Sequence, residues 1–407
     1  MISPVGRATA VLAVTQVIGW GTTFYLPALV GRDMARELGL STELVFFGVT
    51  LMVAVMAVTS PWLGKRMDRV GANGTLTLGS VVFALALVAL GSARGPVSYC
   101  AAWLLIGLGG SLGLSLASFT ALAQVAGKAA RSSMTVLMLF TGLASSITWP
   151  LTGYLEGILG WRGVCLAYAC VHVVLCLPLH ALALPRRGDP GTGGPPVPAP
   201  SAVTPEGRRV AVLVMAPCFA LAGFVGWGLS LHVLEMLERS GLSTAAALTL
   251  ASSMGLLSTV ARVADFALGR RASPMTSALI ACGLVVASFA VLLPGMGSAA
   301  AAIVFIALYS FGTGLFAVSR ATLPLWVFGS AAYGTFAGRI AFGQNVANAT
   351  APVVLAYVLD RHGQAPAVWL LAVAMAGAFA LLLVLGSVVR RHSVVAAAVA
   401  PSPETGA

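Results

Sequence analysis

Residues 185–209 read PRRGDPGTGGPPVPAPSAVTPEGRR, a polar stretch rich in proline and glycine. The rest of the chain is built of long apolar runs. Proline lacks an N–H and fixes its own φ, so this stretch cannot continue a helix, and it has little apolar surface to bury. Six apolar runs precede it and six follow it. A run of about 20 such residues is long enough to cross a bilayer as a helix. Every backbone polar group must find its partner inside lipid, so runs of this kind are helical. The layout therefore predicts an all-α integral membrane protein of twelve transmembrane helices in two six-helix bundles. Residues 1–184 form the first bundle, 185–209 a linker, 210–392 the second bundle and 393–407 a disordered tail.

Composition excludes the alternatives. Of 407 residues, 58% are hydrophobic and only 9% charged, with a mean hydropathy of +0.96. A soluble chain of this length needs far more charged surface. The net charge of +11 would suit a nucleic-acid partner, but the basic residues sit in short loops and form no continuous patch. The six cysteines lie inside apolar runs and form no C-x-x-C pair. They read as small buried hydrophobes, with a soft-metal or metalloid site as the alternative. The first apolar run is too long for a signal peptide and lacks its cleavage pattern, so it is expected to be the first span.

Orientation follows from the basic residues. With the N-terminus inside, fifteen of the 23 lysines and arginines fall on the inner side and six on the outer side. This count assigns Arg320 to a loop after a tenth span of 298–319. The bias predicts both termini and the linker in the cytoplasm. An internal repeat supports two related halves. Gly19-Trp20-Gly21 and Gly39-Leu40-Ser41-Thr42 open the first, and Gly226-Trp227-Gly228 and Gly241-Leu242-Ser243-Thr244 open the second. Parallel repeats of this kind place a solute route between the halves, near the midplane.

The loop expected after the second span reads Gly64-Lys65-Arg66-Met67-Asp68-Arg69-Val70-Gly71. Here the chain resembles the major facilitator superfamily, whose signature at this place is G-x-x-x-D-R-x-G. Gly64, Asp68, Arg69 and Gly71 match it. The basic residues usual after the last glycine are replaced by Ala72 and Asn73. The resemblance implies a secondary transporter working by alternating access, with this loop as a gate on the cytoplasmic side. A carboxylate such as Asp68 can dock on a helix N-terminus or an arginine, and breaking that contact frees the halves.

Within the superfamily the chain looks like bacterial relatives of the monocarboxylate and oxalate–formate transporters. Gly19-Trp20-Gly21-Thr22-Thr23-Phe24-Tyr25-Leu26-Pro27, Trp149-Pro150-Leu151-Thr152-Gly153 and Ala261-Arg262 carry that likeness. Monocarboxylate carriers place a substrate-binding arginine in the eighth helix, so the resemblance implies that role for Arg262. Their acidic partner one turn earlier is Ser258 here, and Asp265 stands one turn later instead. On physical grounds, an arginine near a helix centre costs about 2.5–3.5 kcal/mol and needs a polar destination. Its planar fork suits a carboxylate, and Asp265 at i+3 can pair with it in an empty site. The alternative is a snorkelling arginine paired structurally with Asp265.

Gln16, Tyr25, Trp149, Gln344 and Asn348 join Arg262 as candidate substrate contacts, Gln344 and Asn348 sharing one helix face at i, i+4. For the amides the alternative is hydrogen bonding between helices. Asp265 and His232 are the candidate proton carriers, since histidine titrates near neutrality. For His232 the alternative is a surface pair with Glu235. Gly109-Gly110-Ser111-Leu112-Gly113 fits a hydrolase elbow formally, but no strand or triad partner accompanies it. The glycines at i, i+4 read instead as a close helix contact. No nucleotide loop, cofactor motif or catalytic constellation is present, so an enzyme is not expected. The expected function is proton-coupled carriage of a small organic anion by a monomer in a bacterial inner membrane. Efflux of a drug or toxic metalloid compound and a non-transporting sensor are the alternatives.

Overall fold

The computed structural model describes residues 3–185, 201–239, 242–268 and 273–393, all-helical apart from turns and one isolated bridge, Val203 to Ser393. Most of the proposed linker and the tail beyond Ser393 lie outside these residues. The linker is shorter than expected, because a helix already starts at Pro205.

Among the described residues, fourteen α-helices make up twelve successive helical passes. The first is α1 (Pro4–Thr22) and α2 (Pro27–Leu38), interrupted where Pro27 starts a new helix. The expected single span of 8–30 is thus two pieces. The second and third are α3 (Thr42–Val70) and α4 (Asn73–Gly91). The fourth is α5 (Pro96–Gly113) followed by α6 (Ser115–Val125), broken at Leu114. The fifth is α7 (Ala130–Gly142) and the first limb of α8 (Ala144–Val171), which turns sharply at Gly160, φ +64°. Its second limb continues through two π-helical turns, His172–Cys176 and Leu179–Ala183, as the sixth. The second half comprises α9 (Pro205–Arg239), α10 (Thr244–Leu268), α11 (Pro274–Leu292), α12 (Ala299–Phe328), α13 (Tyr333–His362) and α14 (Gln364–Arg391).

Large apolar side chains such as Leu85, Leu182, Leu213 and Val373 point outward, as lipid-facing helices require. One apolar core fills the second half around Phe219, Phe289 and Phe305. Another fills the first around Trp103, Tyr99 and Phe83. Gly109 and Gly113 do pack closely, both against Phe83. The signature residues Gly64, Asp68 and Arg69 lie in the final turns of α3 rather than in a loop, and Gly71, φ +88°, ends the helix.

A third core joins the halves at the end that carries the linker, through Leu63, Met67 and Leu122 against Val318, Ala321 and Leu325. There α3 and α13 touch backbone to backbone. A Cβ on Gly64 would overlap the Gly334 carbonyl, and one on Gly338 would overlap the Ser60 carbonyl. Ser60 Oγ donates to the Gly338 carbonyl (2.9 Å). Asp68 completes the seal. Its carboxylate accepts from Gly334 N (2.9 Å) and Thr335 N (2.6 Å), the first N–H groups of α13. These donors have no partner within their own helix, and the positive end of the helix dipole favours the charge. Gln124 ties the same corner, donating to the Met67 carbonyl and accepting from Ala72 N. Beyond this seal the halves part around a central cavity.

Gly338→Leu should force α3 and α13 apart, an overpacking cost of about 1–3 kcal/mol. Asp68→Asn should weaken the same seal through the helix-end charge, by up to about 2 kcal/mol. Alkylation of a cysteine placed at Ala341, in a background with the native cysteines replaced, should then rise several-fold from the linker end. Unchanged labelling in either well-folded variant would show that the contact does not hold the seal.

Candidate functional site

The cavity has a volume of about 140 Å³ and is lined by both halves. Trp20 on α1 and Ser115 and Phe119 on α6 come from the first. Phe219 and Trp227 on α9, Arg320 on α12, and Gln344 and Asn345 on α13 come from the second. The break at Leu114 starts α6 at the cavity wall, which is where irregular backbone is tolerated at membrane depth. Gln16 donates to the Gly113 carbonyl there (2.7 Å), so the break leaves no orphaned acceptor at that residue.

Of the expected substrate contacts, Gln344 and Asn348 line the cavity, whereas Arg262, Gln16, Tyr25 and Trp149 are not part of its lining. With the Asn348 amide oriented to satisfy its neighbours, its oxygen accepts from Trp227 Nε1 (3.2 Å). Its nitrogen donates to the Gln344 carbonyl (3.1 Å). Asn348 thus orients an indole. Gln16 is buried with its amide nitrogen on Gly113, and Trp149 is 45% exposed, meeting Tyr25 edge-on at 6.4 Å.

Arg262 reaches from α10 to the opposite half. Its guanidinium lies on Gly142 of α7, where any Cβ would overlap it, and near the Tyr25 hydroxyl. Nη2 donates to Ser258 Oγ (3.0 Å), while Nε is buried without an acceptor. The expected pairing with Asp265 is not made. Asp265 points to α11 and accepts from Ser277 Oγ (2.9 Å). A separation of three residues allows the pair sterically, but the buried serine gives the carboxylate a donor on the other side. His232 turns its Nδ1 to the Gly228 carbonyl of its own helix (3.0 Å), and Glu235 pairs with Arg239 (2.6 Å) rather than with His232.

Arg320 corrects the sequence reading most. It sits inside α12, which runs on through Pro324 to Phe328, and not in a loop. Its side chain is partly accessible through the cavity it lines. Among the described residues, neither Arg262 nor Arg320 has a carboxylate within ion-pair distance. They lie near enough for their charges to repel. The far end of the cavity is narrowed by rings: Phe24 contacts Trp20 (5.7 Å) on its own half and Trp227 (5.1 Å) on the other.

The sequence reading also passed over two buried histidines of the sixth crossing. His172 Nε2 pairs with Thr22 Oγ1 (2.9 Å). His180 pairs with Ser80 Oγ (2.8 Å) and Thr15 Oγ1 (3.0 Å). They knit the first half together and do not line the cavity.

Two half-bundles, sealed at one end around a cavity, are the geometry of alternating access. Several solved structures share the fold. The human organic anion transporter TETRAN aligns at a TM-score of 0.72 with 16% identity, over 93% of this chain and 99% of that one. FucP in its outward conformation aligns at 0.68 with 11% identity, over 93% and 98%. The proton:xylose symporter XylE aligns at 0.70 with 14% identity, over 93% and 95%. Identities this low carry the fold alone. A comparison with curated proteins finds none that matches. The sequence model of the Major Facilitator Superfamily matches residues 11–352, and the chain belongs to that family of membrane transporters.

Proposed function

We propose that this secondary transporter carries a small organic anion, coupled to protons, across the inner membrane of a bacterium. Both termini and the linker face the cytoplasm in this reading. The seal between α3 and α13 then makes the present form outward-facing, with Gly64, Asp68, Arg69 and Gly71 as the cytoplasmic gate.

The observation that carries the anion reading is the pair Arg262 and Arg320. Both rise from the second half to the interface, and neither has a carboxylate partner among the described residues. An uncompensated charge at membrane depth is costly. Keeping two together is reasonable only where a mobile anion neutralises them. Arg262 also bridges to α7 of the first half. An anion that draws on its guanidinium would change how the halves meet, which is how substrate binding can drive a rocking motion. Asp265, buried beside Ser277 one turn from Arg262, is the proposed proton carrier. His232, nearer the far end, is a second candidate.

Uptake of labelled organic acids into proteoliposomes tests this. Arg262→Ala should lose at least nine-tenths of the rate, and Arg262→Lys should keep an intermediate rate because it retains the charge without the fork. Asp265→Asn should flatten the dependence on an imposed proton gradient while leaving acid-for-acid exchange intact. Normal uptake of an identified acid by Arg262→Ala would reject the assignment. An unaltered gradient dependence in Asp265→Asn would remove that residue from the coupling.

A further inference from the structure

We propose that the cavity binds a ring-sized aromatic monocarboxylate, with Arg320 as ligand of the carboxylate and Trp20 as a second donor from the opposite half. This rests on the anion reading above and narrows it to a substrate class.

Arg320 stands eight residues before the end of α12, roughly 12 Å along the helix at 1.5 Å per residue. Its guanidinium offers five N–H donors, and no described residue accepts from them. Trp20 also lines the cavity, and its Nε1 is buried without an acceptor. Two residues of one lining, on opposite halves, therefore each carry a donor without an acceptor. A carboxylate has two oxygens and about four acceptor sites, enough for a forked contact to Arg320 and a further bond to an indole N–H.

The charge of the occupant follows from the lining. Arg320 is its one formal charge, and no carboxylate lies in the wall. A monoanion neutralises the site. A dianion leaves one negative charge in an apolar surround, which is strongly disfavoured. Arg262 lies on Gly142 outside the lining, so it offers a second carboxylate no direct contact.

Size and shape follow from the walls. A volume of about 140 Å³ is close to that of an engineered apolar cavity of about 150 Å³ that accepts benzene. Phe119, Phe219 and the two indoles supply aromatic faces from both halves, and aromatic groups favour offset or edge-on ring contacts. Asn345, also in the lining and without a partner among the described residues, leaves room for one polar substituent such as a hydroxyl. The α3–α13 seal already closes one end of this space, so a ligand touching both Arg320 and Trp20 draws the other ends of the halves together.

Equilibrium binding of radiolabelled benzoate to the purified protein tests the inference, with unlabelled succinate, acetate and benzyl alcohol as competitors. Benzoate should bind saturably, and each competitor should be at least about tenfold weaker. Losing a charge-assisted hydrogen bond is worth about 10–100-fold. Arg320→Gln should accordingly weaken benzoate by that factor, Arg320→Lys by less, and Trp20→Phe by several-fold. Thermal unfolding checks that each variant is folded, and Arg320→Lys carries the test if Arg320→Gln is not. Benzoate binding unchanged in both Arg320 variants overturns the proposal, as does failure of benzoate to bind. Preference for succinate or acetate overturns the ring-sized class while leaving the anion reading intact. Benzyl alcohol binding as well as benzoate, unaffected by Arg320, would defeat both.

Discussion

Two helices from opposite halves meet backbone to backbone at Gly64 and Gly334, and the central cavity exists because that contact seals one of its ends. Within lipid there is no hydrophobic drive to bring helices together, so association depends on close packing and on hydrogen bonds. Ser60, Gly64, Gly334 and Gly338 supply the close packing by having almost no side chain. Asp68 supplies the directional part, because the N–H groups of Gly334 and Thr335 need an acceptor that their own helix cannot provide. The seal is firm and also breakable. Water or another acceptor can replace the carboxylate when the halves separate.

The far end is narrowed by different means. Phe24 meets Trp227 across the halves through ring edges, without a hydrogen-bonded clamp of the Asp68 kind. Ring contacts of this sort contribute about 0.5–1.5 kcal/mol beyond area burial, so this end is the more easily opened. The two tryptophans of the Gly-Trp-Gly repeat are central to it. The repeat carries one indole on the first helix of each half, and both residues line the shared cavity. What reads in sequence as a diverged repeat is in space a pair of walls.

Fold class was legible because hydropathy and the proline-rich interruption report directly on bilayer thickness and chain connection. The contact between α3 and α13 was legible because Gly64 and Asp68 act through backbone geometry, which a short motif encodes. Arg320 was not. A basic residue at the edge of an apolar window normally marks a loop, and only the continuation of α12 through Pro324 turns it into a cavity residue. The breaks at Thr23–Leu26 and Leu114 were hidden for a related reason. Each occurs inside an unbroken apolar run, and its cost is met by distant partners such as Gln16. Asp265 was misdirected because helical spacing fixes which face a residue shares but not which neighbouring helix offers the better donor; Ser277 decided it. The π-helical turns bearing His172 and His180 have no sequence signature of their own.

In the anion reading proposed above, the positions of the two arginines separate binding from movement. Arg320 faces the space a solute can enter, whereas Arg262 rests on the backbone of the other half with its Nε unsatisfied. A guanidinium held against Gly142 is sensitive to any shift of α7 relative to α10, and it also feels the charge on Arg320. Neutralising Arg320 with an anion therefore lowers the repulsion at Arg262 without touching it. That relief is largest in whichever arrangement of the halves brings the two cations closest. On that reading a bound anion would favour the arrangement that the empty protein disfavours, and differential binding of this kind is what a carrier needs to move only when loaded.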